Sequence, residues 1–205
     1  MTSPVLAEAL RPARAAAAVV YDVALIAGFS LLIGLSAQVA IPLPFTPVPI
    51  TLQTLVVLVA GFLLGSWRGA VAVLAYLGEG LAGLPLFSTG TAGLAHLLGP
   101  TGGYILGFLL AAGVVGWLAE RALSALPALR APVAFLVGTV VIYLCGATWL
   151  GAFVGAAKAV SLGVLPFLAG DALKLLAAWG IVAALSQIRP RRTPVGRGST
   201  PPGQG

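Results

Sequence analysis

The sequence predicts an all-α integral membrane protein, six transmembrane helices joined by irregular outer loops, and three observations carry that reading. Hydrophobic residues make up 60% of the 205 positions and charged residues only 8%, and the mean hydropathy of +1.08 exceeds what a soluble chain of this length could keep in solution. The apolar residues fall in long runs parted by short polar or proline-rich breaks. The arginines collect in alternate breaks, as expected of a chain that crosses a bilayer repeatedly and keeps its positive charge on one side. The predicted layout is a cytoplasmic head at 1–14, a six-helix transmembrane domain at 15–188, and a basic Pro/Gly-rich cytoplasmic tail at 189–205 that lacks the apolar residues to fold.

The head carries Glu8, Arg11 and Arg14 and runs into a first span at 15–41. A secretory signal would have a shorter apolar core and a cleavage site before a polar mature chain; here the hydrophobicity continues, so the helix is retained. Asp22 lies about two turns into it, near enough to one surface to be solvated or paired. The segment from Ile41 to Thr51 holds four prolines and cannot be helical, because each proline removes a donor and restricts the residue before it. Irregular apolar backbone is tolerated at membrane depth only where protein buries it or a cavity lies beneath it, so this stretch reads as a re-entrant cap.

The second span is predicted at 52–65 and the third at 69–81, with the turn at Trp67-Arg68 between them. The stretch 81–103 is rich in glycine, contains Ser88, Thr89, Thr91 and His96, and has no lysine or arginine. A loop of that length inside a compact bundle suggests a lid. His96 is the chain's only histidine and has no carboxylate or second histidine at metal-ligand spacing, so a surface or packing role outweighs a metal site. The fourth span is predicted at 104–118 and the fifth at 132–153, and Lys158 marks the next turn. The sixth is the apolar run 162–179. Cys145, the single cysteine, lies inside the fifth span, where a small packing residue is its ordinary role. Six spans place Arg11, Arg14, Arg68, Arg121, Arg130, Arg189, Arg191, Arg192 and Arg197 on one side and only Lys158 on the other. The positive-inside rule therefore predicts a multi-pass protein of the cell membrane with both termini cytoplasmic. The net charge of +6 is then orientation signal and contact with acidic headgroups rather than a nucleic-acid footprint.

The sixth span holds the most informative polar residues. Asp171 and Lys174 are three apart, one helical turn on one face, and each charge near the middle of a span costs roughly 2.5–3.5 kcal/mol unless it finds a partner, water or a ligand. They form either the polar floor of a binding site or an ion pair that locks two helices together. Gln53 at the start of the second span and Glu79 at the end of the third fall on the same outer level, beneath the two irregular loops. Phe45, Tyr76, Phe87 and Tyr104, together with Phe167, would supply the walls of a small-molecule pocket.

Four motifs carry a family resemblance: Pro47-Val48-Pro49-Ile50-Thr51-Leu52-Gln53-Thr54-Leu55, Gly83-Leu84-Pro85-Leu86-Phe87, Leu98-Gly99-Pro100-Thr101-Gly102-Gly103-Tyr104-Ile105-Leu106-Gly107-Phe108 and Pro166-Phe167-Leu168-Ala169-Gly170-Asp171-Ala172-Leu173-Lys174. In this order, over about 23–185, the chain resembles the BioY family, the biotin-binding S components of energy-coupling factor transporters. The resemblance implies an S-component-like bundle that captures biotin from the outer face. Its partners would be a transmembrane coupling subunit and ATP-binding-cassette ATPases, and Asp171 and Lys174 would meet the polar groups of biotin. The pattern departs at 87–93, which lacks the family's basic residue; Lys174 is left as the basic side chain of the outer pocket, with backbone donors of that loop as a substitute. Biotin itself offers urea donors and a carbonyl, a thioether ring and a carboxylate tail, which Asp171, Lys174 and the aromatic residues could meet.

A stand-alone secondary carrier is the alternative, though the two halves show no convincing repeat. A membrane enzyme is more distant: the sequence has no G-x-S-x-G and no H-E-x-x-H. No cofactor is expected, and without a G-x-x-x-x-G-K-[ST] loop the chain does not hydrolyse ATP itself.

Overall fold

The computed structural model describes residues 5–121 and 129–186; the tail at 189–205 and its four arginines lie outside the described residues. Nine helices occur among those described: α1 (Leu6–Ala9), α2 (Ala15–Gln38), α3 (Gln53–Leu64), α4 (Ser66–Leu81), α5 (Leu94–Leu97), α6 (Gly102–Arg121), α7 (Arg130–Val154), α8 (Ala156–Gly163) and α9 (Leu168–Ser186). The six expected segments are thus helical. Four stretches, Ala15–Gln38, Gly102–Arg121, Arg130–Val154 and Ala156–Leu185, are long and apolar enough to cross a membrane. α3 and α4 are shorter, with 12 and 16 residues, about 18 and 24 Å against a hydrocarbon core of ~30 Å.

Glycine and proline set the breaks. Gly65 and Gly155 adopt φ values of +89° and +85°, a left-handed backbone that turns one helix directly into the next. Two expected turns are corrected here: Trp67 and Arg68 lie inside α4, and Lys158 lies inside α8, because a charged residue does not interrupt a helix whereas a left-handed glycine does. The first helix also stops at Gln38, short of Ile41. Pro166 has no N–H to continue α8, so the sixth segment splits into α8, a 3-10 turn at Leu165–Phe167 and α9. The carbonyls freed at the α8 terminus are not left bare. Leu162 accepts from Thr46 Oγ1 at 2.8 Å and Gly163 from Tyr104 Oη at 2.7 Å.

α6 packs against α3, α4 and α7; α2 covers α3 and α4, and α9 lies on α3. Lipid tails are as apolar as leucine, so close packing rather than water exclusion must hold such helices together. Small residues supply it: a Cβ at Gly61 would come within 2.6 Å of the Ala112 carbonyl, and one at Gly69 within 2.9 Å of the Gly61 backbone. Outward, Val20, Leu35, Leu144 and Leu173 are exposed, an apolar rind suited to lipid. Cys145 packs against Gly107, as expected of a small residue.

At the end holding α1, Arg68 is only 3% exposed and paired twice, with Asp22 at 2.7 Å and Glu8 at 2.9 Å, while Arg11 reaches the other Asp22 oxygen at 2.8 Å. Val5 and Ala7 are buried, α1 packs on α3 and is tied to α4 through Glu8, and Arg11 after it is tied to α2 through Asp22. At the opposite end two loops meet. The first, 42–49, is closed by antiparallel strands β1 (Ala40–Ile41) and β2 (Ile50–Thr51), with Ala40 opposite Thr51. The second, 82–101, contains a 3-10 turn at Ser88–Gly90, a bridge between Phe87 and Thr91, and α5.

Candidate functional site

Asp171 stands in the first turn of α9, where the positive end of the helix dipole favours an acid. Its Oδ1 accepts from Lys174 Nζ at 2.6 Å, and its Oδ2 accepts from the Tyr143 hydroxyl on α7. Asp171 is 5% exposed and Lys174 9%. The ion pair stays within α9, and the tie to another helix is made by Tyr143, a residue that sequence reasoning missed. The cluster keeps bonding capacity. A carboxylate has about four acceptor positions and an ammonium three donors, so Asp171 can still accept from a ligand N–H and Lys174 can still donate.

α3 lies beside α9 and begins at the same end of the bundle. Its first residue, Gln53, is buried and donates from Nε2 to the Tyr76 hydroxyl at 2.8 Å. Tyr76 is fully buried and meets Phe87 edge-on at 5.5 Å; Phe87 in turn stacks on His96 at 5.1 Å. A contiguous path thus runs from Gln53 up to the loops. Phe87 reaches this place because α4 offers Gly80 beneath it: any Cβ there would collide with the ring. Gln38, at the end of α2, donates to the carbonyls of Pro85 and Phe87, both at 3.2 Å, and fixes the segment from above.

The remaining predicted residues take other places. Glu79 turns to α2, accepting from Ser30 Oγ at 2.8 Å, while its Oε2 is buried without a partner. It forms a separate α2–α4 contact rather than joining the Asp171 group. Tyr104 seals the seam of α7 and α8: its ring occupies the space a Cβ on Gly146 would need, and its hydroxyl is committed to Gly163. Phe45 is 57% exposed at the tip of the first loop.

Between the two loops lies a cavity of about 330 Å³, within the range of small-molecule sites. Leu43, Thr46 and three prolines line it from the first loop, and Ser88, Thr89, His96 and Thr101 from the second. Trp149 on α7 anchors the second loop by donating to the Gly99 carbonyl at 2.9 Å. His96 is half-buried, stacked on Phe87 and set in the cavity wall. The signal that could have found it is the clustering of Thr91, His96 and Thr101 at five-residue intervals in a stretch free of other ionisable groups. No group of acids, histidines or cysteines able to hold a metal occurs among the described residues.

Residues 8–191 match the model of the BioY family. A protein of Pyrococcus horikoshii named probable biotin transporter BioY is 41% identical over 153 residues, 75% of this chain and 88% of that protein. The biotin transporter BioY of Thermotoga maritima is 40% identical over 170 residues, 82% and 95% of the two chains. A crystal structure of the S-component for biotin from an ECF-type ABC transporter is similar with a TM-score of 0.74 at 30% identity, covering 82% of this chain and 92% of that one. With the family model spanning nearly the whole chain and close relatives matched over most of their length, this chain belongs to the BioY family, whose members are transporters rather than enzymes.

Proposed function

We propose that this protein is the biotin-binding membrane subunit of a vitamin uptake system, an S component that takes biotin from the outer face. The observation that carries the reading is the buried Tyr143–Asp171–Lys174 cluster in a chain of this family: a charged pair sequestered among apolar helices, with donors and acceptors left over for a polar ligand. Asp171 accepts from a urea N–H of biotin, Lys174 donates to a carbonyl or carboxylate oxygen, and Gln53, Tyr76 and Phe87 close the site from the side of α3 and α4. The loops 42–49 and 84–100 act as lids. Uptake against a gradient is driven by a coupling subunit with two ATPases, and the arginine-rich α1 end faces the cytoplasm, a reading supported by the positive-inside rule.

The decisive experiment is a binding titration on the purified full chain with biotin against thiamine, riboflavin and folate. Saturable binding of biotin alone is expected. Equal affinity for another vitamin, or none for biotin, removes the reading. Uptake in cells with and without the ATPases then distinguishes an S component from a stand-alone carrier, which would transport in both.

A further inference from the structure

His96 is the one titratable residue lining the cavity between the loops; its companions there are prolines, aliphatic side chains, a glycine and the hydroxyls of Thr46, Ser88, Thr89 and Thr101. Its ring is held in a defined state. Nδ1 lies 2.8 Å from Thr91 Oγ1, and the single hydroxyl proton of Thr91 is given to the Ser88 carbonyl at 2.9 Å. With that proton on the Ser88 carbonyl, which Thr89 Oγ1 also meets at 2.6 Å, Thr91 accepts from the ring, and this network assigns the hydrogen to Nδ1 and the lone pair to Nε2. Nε2 has one long contact, 3.4 Å to Thr101 Oγ1, and the stack on Phe87 fixes the ring plane. One nitrogen is anchored and the other is almost uncommitted, at the wall of a ligand-sized cavity.

That arrangement responds to an anion. Partial burial holds the His96 pKa below its ordinary value, so the free protein carries a neutral imidazole at pH 7. An entering carboxylate would face the Nε2 lone pair, which repels it; adding a proton there turns the same atom into a charged donor, while the bond from Nδ1 to Thr91 is unchanged. Among the described residues no other charged group lines the cavity: the titratable group behind Phe87 is the Tyr76 hydroxyl, already bonded to Gln53, the neighbouring Glu79 turns to Ser30 on α2, and Lys174, paired with Asp171 on α9 outside the lining, keeps its remaining donors for the urea carbonyl.

Building on the biotin reading, we propose that His96 is the carboxylate-binding residue of the outer cavity and takes up one solvent proton at Nε2 when the monocarboxylate tail of the ligand enters. The carboxylate remains ionised throughout the range concerned, above about pH 5. Linkage fixes the sign: where binding takes up a proton, affinity rises as pH falls, by up to about tenfold per pH unit. The gain accumulates between the pKa of His96 in the complex and its lower pKa in the free protein, and it levels off below the latter.

The test uses the full chain in nanodiscs, titrated between pH 5.5 and 8.5 with biotin and with biotin amide, whose tail is uncharged. Biotin affinity should strengthen several-fold from pH 8 to pH 6, with proton uptake seen by calorimetry in two buffers of different ionisation enthalpy, and the amide should show neither effect. His96→Gln should flatten the biotin profile at the affinity the parent shows at high pH. A flat profile for biotin in the parent, an equal slope for the amide, or a slope that survives in His96→Gln overturns the assignment while leaving the biotin reading in place. Absence of biotin binding by folded protein at every pH overturns both.

Discussion

Asp171 is the residue on which the proposed site turns, because it spends one oxygen on Lys174 and the other on Tyr143 and is still unsaturated as an acceptor. Replacing either member of the charged pair strands the other in a buried position, and a polar ligand loses a charge-assisted partner. Asp171→Asn and Lys174→Ala should each weaken biotin binding by about 1–3 kcal/mol, measured by titration of variants shown to be folded. Tyr143→Phe removes one bond and no charge, so a smaller loss of about 1 kcal/mol is expected. If both charge variants bind as the parent does, the ligand sits elsewhere. The pair was legible in the sequence because a fixed spacing of three puts two charges on one helical face whatever the tertiary structure. Tyr143 was not, since one tyrosine in an apolar span has no periodic signature and its partner is 28 residues away. Glu79 was legible as an intramembrane acid but not in direction: nothing in its spacing from Tyr76 tells that it turns toward Ser30.

At the scale of elements, the sequence located the helices well and their joints less well. Proline and glycine punctuate reliably, which is why the 42–49 loop and the 82–101 loop were recognised; the joints at Gly65 and Gly155 were displaced onto neighbouring charged residues that the helices simply absorb. The short β1–β2 clamp had no signal in two-residue strands. Side-chain anchors hold the loops: Thr46 on Leu162, Gln38 on Phe87, Trp149 on Gly99. Gly80 is the least visible of these devices, since its role is to leave room. In Gly80→Ala the added methyl collides with Phe87, and the displaced ring disturbs Tyr76 on one side and His96 on the other. A cost of about 1–3 kcal/mol in stability is expected from overpacking, accompanied by weaker biotin binding; an unchanged melting temperature would show that the ring has free space behind it. If the loops close over ligand, Ala95→Cys, exposed at the cavity wall, should be labelled by a thiol reagent several-fold more slowly with saturating biotin. Equal rates would mark the cavity as permanently open.

The molecule as a whole has two ends with different work and one helix, α2, that touches both. Its inner side is fixed by Asp22 to Arg68 at one end and by Ser30 to Glu79 further along. Its outer side is unpartnered: Val20, Ala24, Ala27, Gly28, Leu31 and Leu35 are exposed, and a Cβ at Gly28 would meet nothing within 4 Å. Small residues four apart let another helix approach closely. In the S-component reading proposed above, energy for uptake arrives from the coupling subunit through a contact of this kind. We therefore expect Ala24→Trp and Gly28→Trp to abolish co-purification with the coupling subunit and ATP-driven uptake, while biotin binding by the isolated protein stays within twofold of the parent. The separation follows from the geometry, because neither position contacts the Asp171 cluster or the loops and a bulky side chain there extends into lipid. Loss of biotin binding in both variants would mean that this face belongs to internal packing, and the coupling contact would have to lie on another helix.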